Sequence, residues 1–380
     1  MPTPAVRPER ESQFEVLRLL AMFMVLMLHA NFIALKFPVG SQFAAHPYVV
    51  ATRCLLEAAS LVAVNVFVLL SGWFGIRPSL RGALNLLFTL WFYGLVLSAG
   101  GWCCGVDVSL DHVVKALNAG HGLWFIRSYL LLFILAPALN AYAEGADRRQ
   151  FRALLAAFFT LAFYLGVFEK MADFNYGYSA LFFCGLYLLA RYIRRFCPRF
   201  TQWSGLRCAA IYGLCTVATT LLIMRPFLEA PHSRRAGIDN TFMAYDSPFL
   251  VAAALMLVLL FSHRRFRSRR VNRLAAGALA VYIVHSHFAI NPWFLSTNRL
   301  IYTSFDGPLA PLLMFLFLLA VFAACLLADL VRQWCWGRLW PVVERLLRRP
   351  TAPCPAAAAP PPAPSAPLPP RAEEPSSPAP

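Results

Sequence analysis

The sequence predicts an all-α fold, a polytopic transmembrane helical bundle of about ten helices with both termini cytoplasmic. Three observations predict it. Apolar residues make up 59% of the chain and charged residues only 14%, whereas soluble domains sit near half and a quarter. Apolar runs recur and reach about 17–22 residues, the length that crosses a hydrocarbon core of about 30 Å. Basic residues collect in alternate segments between those runs. Continuous runs are not the alternating pattern of barrel strands, so helices are the expected spanning elements. The first run is long and opens a series of similar ones, unlike a cleaved signal peptide.

The expected spans cover roughly 14–36, 54–76, 82–103, 122–142, 151–168, 176–193, 207–224, 246–262, 274–295 and 309–332. The sixth is the weakest, because tyrosines and a glycine open it, and the eighth is short. One set of connecting segments holds Arg7, Arg10 and Arg18, then Arg77 and Arg81, then Arg148, Arg149 and Arg152, then Arg191, Arg194, Arg195, Arg199 and Arg207. It continues with six arginines between Arg264 and Arg273 and five between Arg332 and Arg349. The alternate segments are far poorer, with residues such as Lys36, Arg53, Lys115, Lys170 and Arg299. The richer set faces the cytoplasm by the positive-inside rule. Both ends then lie inside, which requires an even number of spans.

This organisation gives a cytoplasmic N-terminal segment (1–13), a membrane domain (14–332), a basic juxtamembrane segment (333–349) and a tail (350–380). The tail is rich in Pro and Ala and is expected to be disordered, partly polyproline and cytoplasmic. The net charge of +16 does not indicate a nucleic-acid partner, because the arginines sit in short loops where orientation demands them. The expected partner is the lipid bilayer. The ten cysteines show no CxxC or Cys/His ligand spacing, so no metal site or disulfide framework is expected. Oligomeric state is not legible.

Ionisable groups inside membrane spans are costly and therefore point to function. Arg18 and His29 in the first span are the sharpest pair. They are eleven residues apart, and eleven steps of about 100° return to within about 20° of the same direction. The two share a face, with His29 about 16 Å further from the cytoplasmic side. Arg18 alone reads equally as a residue reaching inner headgroups, and His29 alone as an interhelical hydrogen-bonding residue. Together they suit an anionic donor held at the inner surface with a general base deeper in.

A second polar set accompanies the second span: Asn65, Ser71-Gly72, Arg77 and Arg81. Arginines there suit phosphate, although simple anchoring explains them too. His121 and Trp124 open the fourth span, where Trp124 also reads as an interfacial belt residue. His285 and His287 lie in the ninth span, His285 about as deep as His29. Glu57 and Glu169 end spans and are either substrate contacts or solvated. No Walker loop, dinucleotide fingerprint, GxSxG elbow or HExxH motif is present. That counts against ATP-driven transport and against serine or zinc hydrolysis.

These residues resemble a known family. The stretch Phe14 to His29, with its Arg-x10-His spacing, is similar to the first helix of the membrane acyltransferase-3 family. Val64 to Trp73, an apolar run closed by Ser71-Gly72-Trp73, resembles its second-helix signature. His121 to Trp124, the Pro137/Asn140 region and Val281 to His285 resemble its later motifs, so the likeness spans roughly 14–332. The resemblance implies a ten-helix, multi-pass protein of a bacterial cytoplasmic membrane that O-acylates a sugar of a surface or exported polysaccharide.

It further implies acyl-coenzyme A as cytoplasmic donor substrate, acetyl-CoA by default and succinyl as an option, with no permanently bound cofactor. His29 is then the essential residue, as general base or as acyl carrier. Arg18, Arg81, Arg77 and Ser71 bind the donor, and Asn65, His121, Trp124, His285 and Glu57 support the acceptor side. Many members carry Arg-x-x-Arg before the third helix, whereas this chain has Arg77-x-x-x-Arg81, which leaves open which arginine serves. No SGNH hydrolase domain is expected here. The rival readings are a proton-coupled transporter or lipid-linked sugar flippase, although no pair of broken helices is evident in the sequence, and a scaffold that recruits partners through its tail.

Overall fold

Helices begin where a side chain can take up the free amides of a first turn. Ser79 accepts from Gly82 N (3.1 Å) and Ser204 from Arg207 N (3.2 Å). Asp147 Oδ1 accepts from Arg149 N (2.7 Å) and Gln150 N (2.9 Å). The computed structural model describes residues 11–120, 122–169 and 174–347. The expected tail (350–380), most of the 1–13 segment, His121 and Lys170 lie outside the described residues.

In chain order the helices are α1 (Ser12–Leu28), α2 (Gly40–Ala45), α3 (Pro47–Ser60), α4 (Ala63–Phe74), α5 (Leu80–Cys103), α6 (Leu110–Leu117), α7 (Trp124–Gly145) and α8 (Arg148–Phe163). They continue as α9 (Ala180–Phe196), α10 (Pro198–Thr201), α11 (Gly205–Glu229), α12 (Pro248–Ser262), α13 (Arg269–Ala275), α14 (Ala278–Ser286), α15 (Asn291–Ser304) and α16 (Leu309–Leu347). Among the described residues there is no strand. The fold is all-α, as expected.

The centre of the bundle is α4. It is mostly apolar and buried, as a helix surrounded by other helices must be, and it packs on α9, α12 and α1. Gly72 permits the approach of α9, since a Cβ there would lie 2.3 Å from the Tyr187 carbonyl oxygen. Gly75 ends α4 at φ +76°, a left-handed conformation that glycine adopts without strain. The following turn is tied down by two side chains. Tyr187 Oη accepts from Ile76 N (2.8 Å) and donates to Asn140 Oδ1 (2.7 Å), while Asn140 Nδ2 donates to Ile76 O (2.8 Å).

The outside of the bundle is apolar as well. Leu131 and Ile134 on α7, Leu214 and Leu221 on α11, and Leu312, Phe315, Leu319 and Leu327 on α16 are exposed. So large an apolar surface requires a lipid solvent. Among the described residues seven helices are long and apolar enough to cross a membrane, and an eighth if one bent pair counts as a span. They match the expected first, second, third, fourth, seventh, eighth and tenth spans. The expected fifth span is α8 continued by the π turn Tyr164–Phe168, helical over 148–168, and the expected sixth is α9, of 17 residues; neither is among the seven.

The expected ninth span, 274–295, is not continuous. Residues Arg269–Ser286 and Asn291–Ser304 meet at an 82° bend. The physical reason is Pro292, at the start of α15, which has no amide to donate and cannot sit inside a helix. A broken helix is therefore present, contrary to the sequence expectation. Through most of the expected basic juxtamembrane segment (333–349), α16 remains helical, to Leu347.

The chain divides at Trp336, and residues from Gly337 form a separate unit. Before that division α16 carries a buried ion pair. Arg332 Nε donates to Asp329 Oδ1 (2.5 Å) and Nη2 to Asp329 Oδ2 (2.9 Å). Tyr93 Oη adds a hydrogen bond to Asp329 Oδ1 (3.0 Å), and Arg332 Nη1 reaches Asn85 Oδ1 (3.3 Å), so the pair ties α16 to α5.

Candidate active site

Arg18, Met22, Val25 and His29 follow one another at i, i+4, i+7 and i+11 along α1, so they form one stripe. At His29 the helix widens into a π turn, His29–Ile33, in which Ala34 N donates to His29 O (2.9 Å). Such single π turns recur at functional sites. Polar partners hold this one. Asn31 Nδ2 donates to Glu57 Oε2 (2.8 Å) and Arg53 O (2.9 Å), and Arg53 Nε donates to Asn31 Oδ1 (3.0 Å). Arg53 Nη2 donates to Lys36 O (2.6 Å) and Arg299 Nη2 to Ala34 O (3.0 Å), which satisfies carbonyls at the end of the turn.

His285 faces His29 from α14. Its Nε2 lies 2.8 Å from His29 Nδ1, and its Nδ1 lies 2.5 Å from the Val281 carbonyl oxygen. Ser286 Oγ stands 3.5 Å from the same Nε2. The break after Ser286 leaves the last carbonyls of α14 without helical partners, and Asn291 Nδ2 takes up that of His285 (3.0 Å). The broken ninth segment thus places His285 in a final helical turn rather than in mid-helix.

His29 lines a narrow cavity of about 40 Å³, and fully buried His285 backs it from behind. Met22, Val25, Leu28 and His29 of α1 form one wall, and Val64 and Phe67 of α4 another. Trp124, Phe125, Tyr245 and Tyr282 supply an aromatic wall. Trp124 packs at 4.4 Å from the Tyr178 ring and stacks 5.8 Å from that of Tyr245. Asn65 Nδ2 donates to the Tyr245 carbonyl (2.8 Å), and Tyr282 Oη donates to Gly122 O (2.8 Å), which seats the start of α7 against α14. Low-polarity walls around two imidazoles suit proton transfer sheltered from bulk water.

The structure brings together His29, His285 and Trp124, with Asn65 holding the Tyr245 wall. It does not bring the other expected residues into the cavity. Arg18 continues the stripe below Met22 but is partly exposed and pairs with buried Glu15 (2.5 Å), an i,i+3 contact of one helical turn. It is therefore neither fully buried nor open-handed. Glu57 is buried in the Asn31–Arg53 network instead. Ser71 Oγ donates to Phe67 O (2.9 Å) and lies 3.3 Å from Tyr129 Oη. Arg77 and Arg81 are exposed on either side of the start of α5, and His121 is not among the described residues.

Sequence reasoning missed Tyr245, Tyr282, Asn31 and Arg53. The last two carried a signal, since both are polar residues at the ends of apolar runs. It also read the 264–273 arginines only for orientation. Arg267, Ser268, Arg269 and Asn272 line a second cleft, and Ser12 at the foot of α1 docks on that segment. Ser12 Oγ donates to Asn272 Oδ1 (2.8 Å) and accepts from Ser268 N (2.7 Å). Among the described residues, no group of three or more His, Cys, Asp or Glu side chains could hold a metal ion.

The sequence profile of a family described as an acyltransferase domain matches residues 11–330. No curated protein and no solved structure matches the chain. The profile covers the site and nearly all of the helical body. The chain belongs to the acyltransferase-3 family.

Proposed function

We propose that this acyltransferase moves an acyl group, acetyl by default, from acyl-coenzyme A on the cytoplasmic side to a hydroxyl of a surface or exported glycan. One observation carries the reading. His29, backed by His285, stands at a cavity whose α1 wall continues as a stripe to Arg18, about 16 Å away along the helix. An extended pantetheine arm is of similar length, roughly 20 Å. Donor phosphates near the foot of α1 would therefore bring the thioester to His29.

The arginines at that end favour phosphate, because a guanidinium presents a permanent charge and a planar fork of donors. Arg18 shares its charge with Glu15, and the Arg267–Arg269 cleft and exposed Arg77 and Arg81 add further positive charge at that end. The aromatic wall of Trp124 and Tyr245 offers flat apolar faces suited to a sugar ring.

His29 Nε2 takes the proton of the acceptor hydroxyl. The hydroxyl oxygen forms a bond to the thioester carbonyl carbon, the carbon–sulfur bond breaks, and the thiolate takes up the proton from His29. General-base assistance of this kind contributes about 10²–10⁴ in rate. The test is acyl transfer by purified protein in bilayers, using radiolabelled acetyl-CoA and a glycan acceptor. His29→Ala and His29→Gln should abolish transfer at normal membrane levels, and full activity in both refutes the mechanism.

The 82° break beside His285 also favours a second reading, because discontinuous helices line the substrate sites of transporters. A carrier moves the glycan without forming an ester, so mass spectrometry of the product separates the two.

A further inference from the structure

His285 has one nitrogen whose state is settled by its partner. Nδ1 lies 2.5 Å from the Val281 carbonyl oxygen, and a carbonyl only accepts, so Nδ1 carries a hydrogen. A neutral imidazole holds one N–H. The Nε2 of neutral His285 is therefore a bare lone pair, and it lies 2.8 Å from His29 Nδ1. A contact of that length between two lone pairs is repulsive, so His29 Nδ1 must carry the hydrogen. That leaves His29 Nε2 as a lone pair. No partner among the described residues occupies it, and the His29 ring lines the cavity.

We infer that His285 is a positioning residue that fixes His29 as the Nδ1–H tautomer through the chain Val281 O, His285, His29, and so keeps the basic nitrogen turned to the acceptor hydroxyl. The inference rests on the proposed acyl transfer for its purpose, but the tautomer itself does not depend on it. An isolated imidazole has its hydrogen on either nitrogen, and only one of the two forms can take a proton at Nε2.

The arrangement also serves the charged state. When His29 takes the hydroxyl proton, it becomes an imidazolium that still donates from Nδ1 to His285. The hydrogen can pass along that bond to His285 Nε2, leaving His29 neutral with its new hydrogen on Nε2. His285 then carries the charge in the last turn of α14, where the helix dipole favours a cation. The reverse passage returns the charge to His29 before the thiolate is protonated. The neighbours of His285 are compatible with this traffic. Ser286 Oγ lies at 3.5 Å, the Tyr282 and Phe294 rings at 6.1 and 5.4 Å, and among the described residues no carboxylate hydrogen-bonds to it.

Two variants at 285 distinguish positioning from packing. His285→Gln places an amide oxygen near the former Nε2 and still accepts from His29 Nδ1–H. His285→Leu keeps an apolar side chain of similar bulk and cannot accept. The full chain is labelled with ¹⁵N-histidine, reconstituted in nanodiscs without substrate, and His29 is identified by its loss in His29→Gln. The expected result is a wild-type Nδ1–H signal that persists in His285→Gln and shifts to Nε2–H or to a mixture in His285→Leu. In turnover, kcat falls by about 100-fold or more in His285→Leu and by less than about tenfold in His285→Gln, with KM for either substrate within about threefold. An unchanged His29 tautomer in His285→Leu overturns the inference, as does an Nε2–H signal in the wild type. Correct NMR tautomers with no acyl transfer by the wild type would instead refute the acyl-transfer reading.

Discussion

His29 Nδ1 lies 2.8 Å from His285 Nε2, joining residues 256 positions apart in the chain. The contact places a π turn of α1 against the last turn of α14, so the catalytic proposal depends on two interruptions of regular helix. Neither interruption is an accident of packing. The π turn is held by Asn31, Arg53 and Glu57, and the break by Pro292 and Asn291.

Gly72 lets the central helix lie directly against the backbone of α9. A Cβ would meet the Tyr187 carbonyl oxygen at 2.3 Å, and backbone cannot move aside as a side-chain tip can. Gly72→Val should lower stability by at least about 1–3 kcal/mol through overpacking. The expected outcome is a lower unfolding midpoint and poor recovery of folded protein in detergent.

The Asp329–Arg332 pair is buried at both ends. Removing one partner leaves the other charge uncompensated, which typically costs about 3–5 kcal/mol. Arg332→Met should therefore destabilise strongly, whereas Asp329→Leu combined with Arg332→Met should recover most of the loss. Thermal unfolding of the two variants in bilayers checks the ordering.

Trp124 stacks against Tyr245 in the cavity wall. If the acceptor sugar lies on that wall, Trp124→Ala raises KM for the glycan about tenfold or more and leaves KM for acyl-CoA within about twofold. Trp124→Phe keeps a π face and should be the milder change. Separate titration of the two substrates gives the answer.

Arg267 and Arg269 line the cleft beside the foot of α1. Replacing both with Gln should raise KM for acyl-CoA about five- to fiftyfold with kcat little changed. Lost charge-assisted contacts to phosphate are worth roughly 1–3 kcal/mol together. Desulfo-CoA binding measured at two salt concentrations should weaken in parallel. The same substitutions at Arg77 and Arg81 report which arginines the donor uses.

Much of this was legible in the sequence, for reasons that are local. The stripe from Arg18 to His29 follows from helical period alone. His285 stood out because an ionisable group inside an apolar run is costly. Its partnership with His29 was hidden, because no local pattern encodes a contact between α1 and α14. The break in the ninth segment had a signal, Asn291-Pro292, but the apolar residues around it preserved the look of one run. Arg18 was read for its charge alone, although Glu15 three residues earlier is placed to neutralise it. Asn65 was visible as a polar residue in an apolar run, while the loop residue it holds, Tyr245, carried no pattern of its own.

The central claim is that His29 performs acyl transfer. The most direct measurement is single-turnover acyl transfer from radiolabelled acetyl-CoA to a glycan by the wild type and His29→Gln, at equal reconstituted protein. The account predicts base-labile ester formation by the wild type and a loss of at least about 100-fold in His29→Gln, with donor binding retained. Ester formation by His29→Gln at the wild-type rate would contradict it.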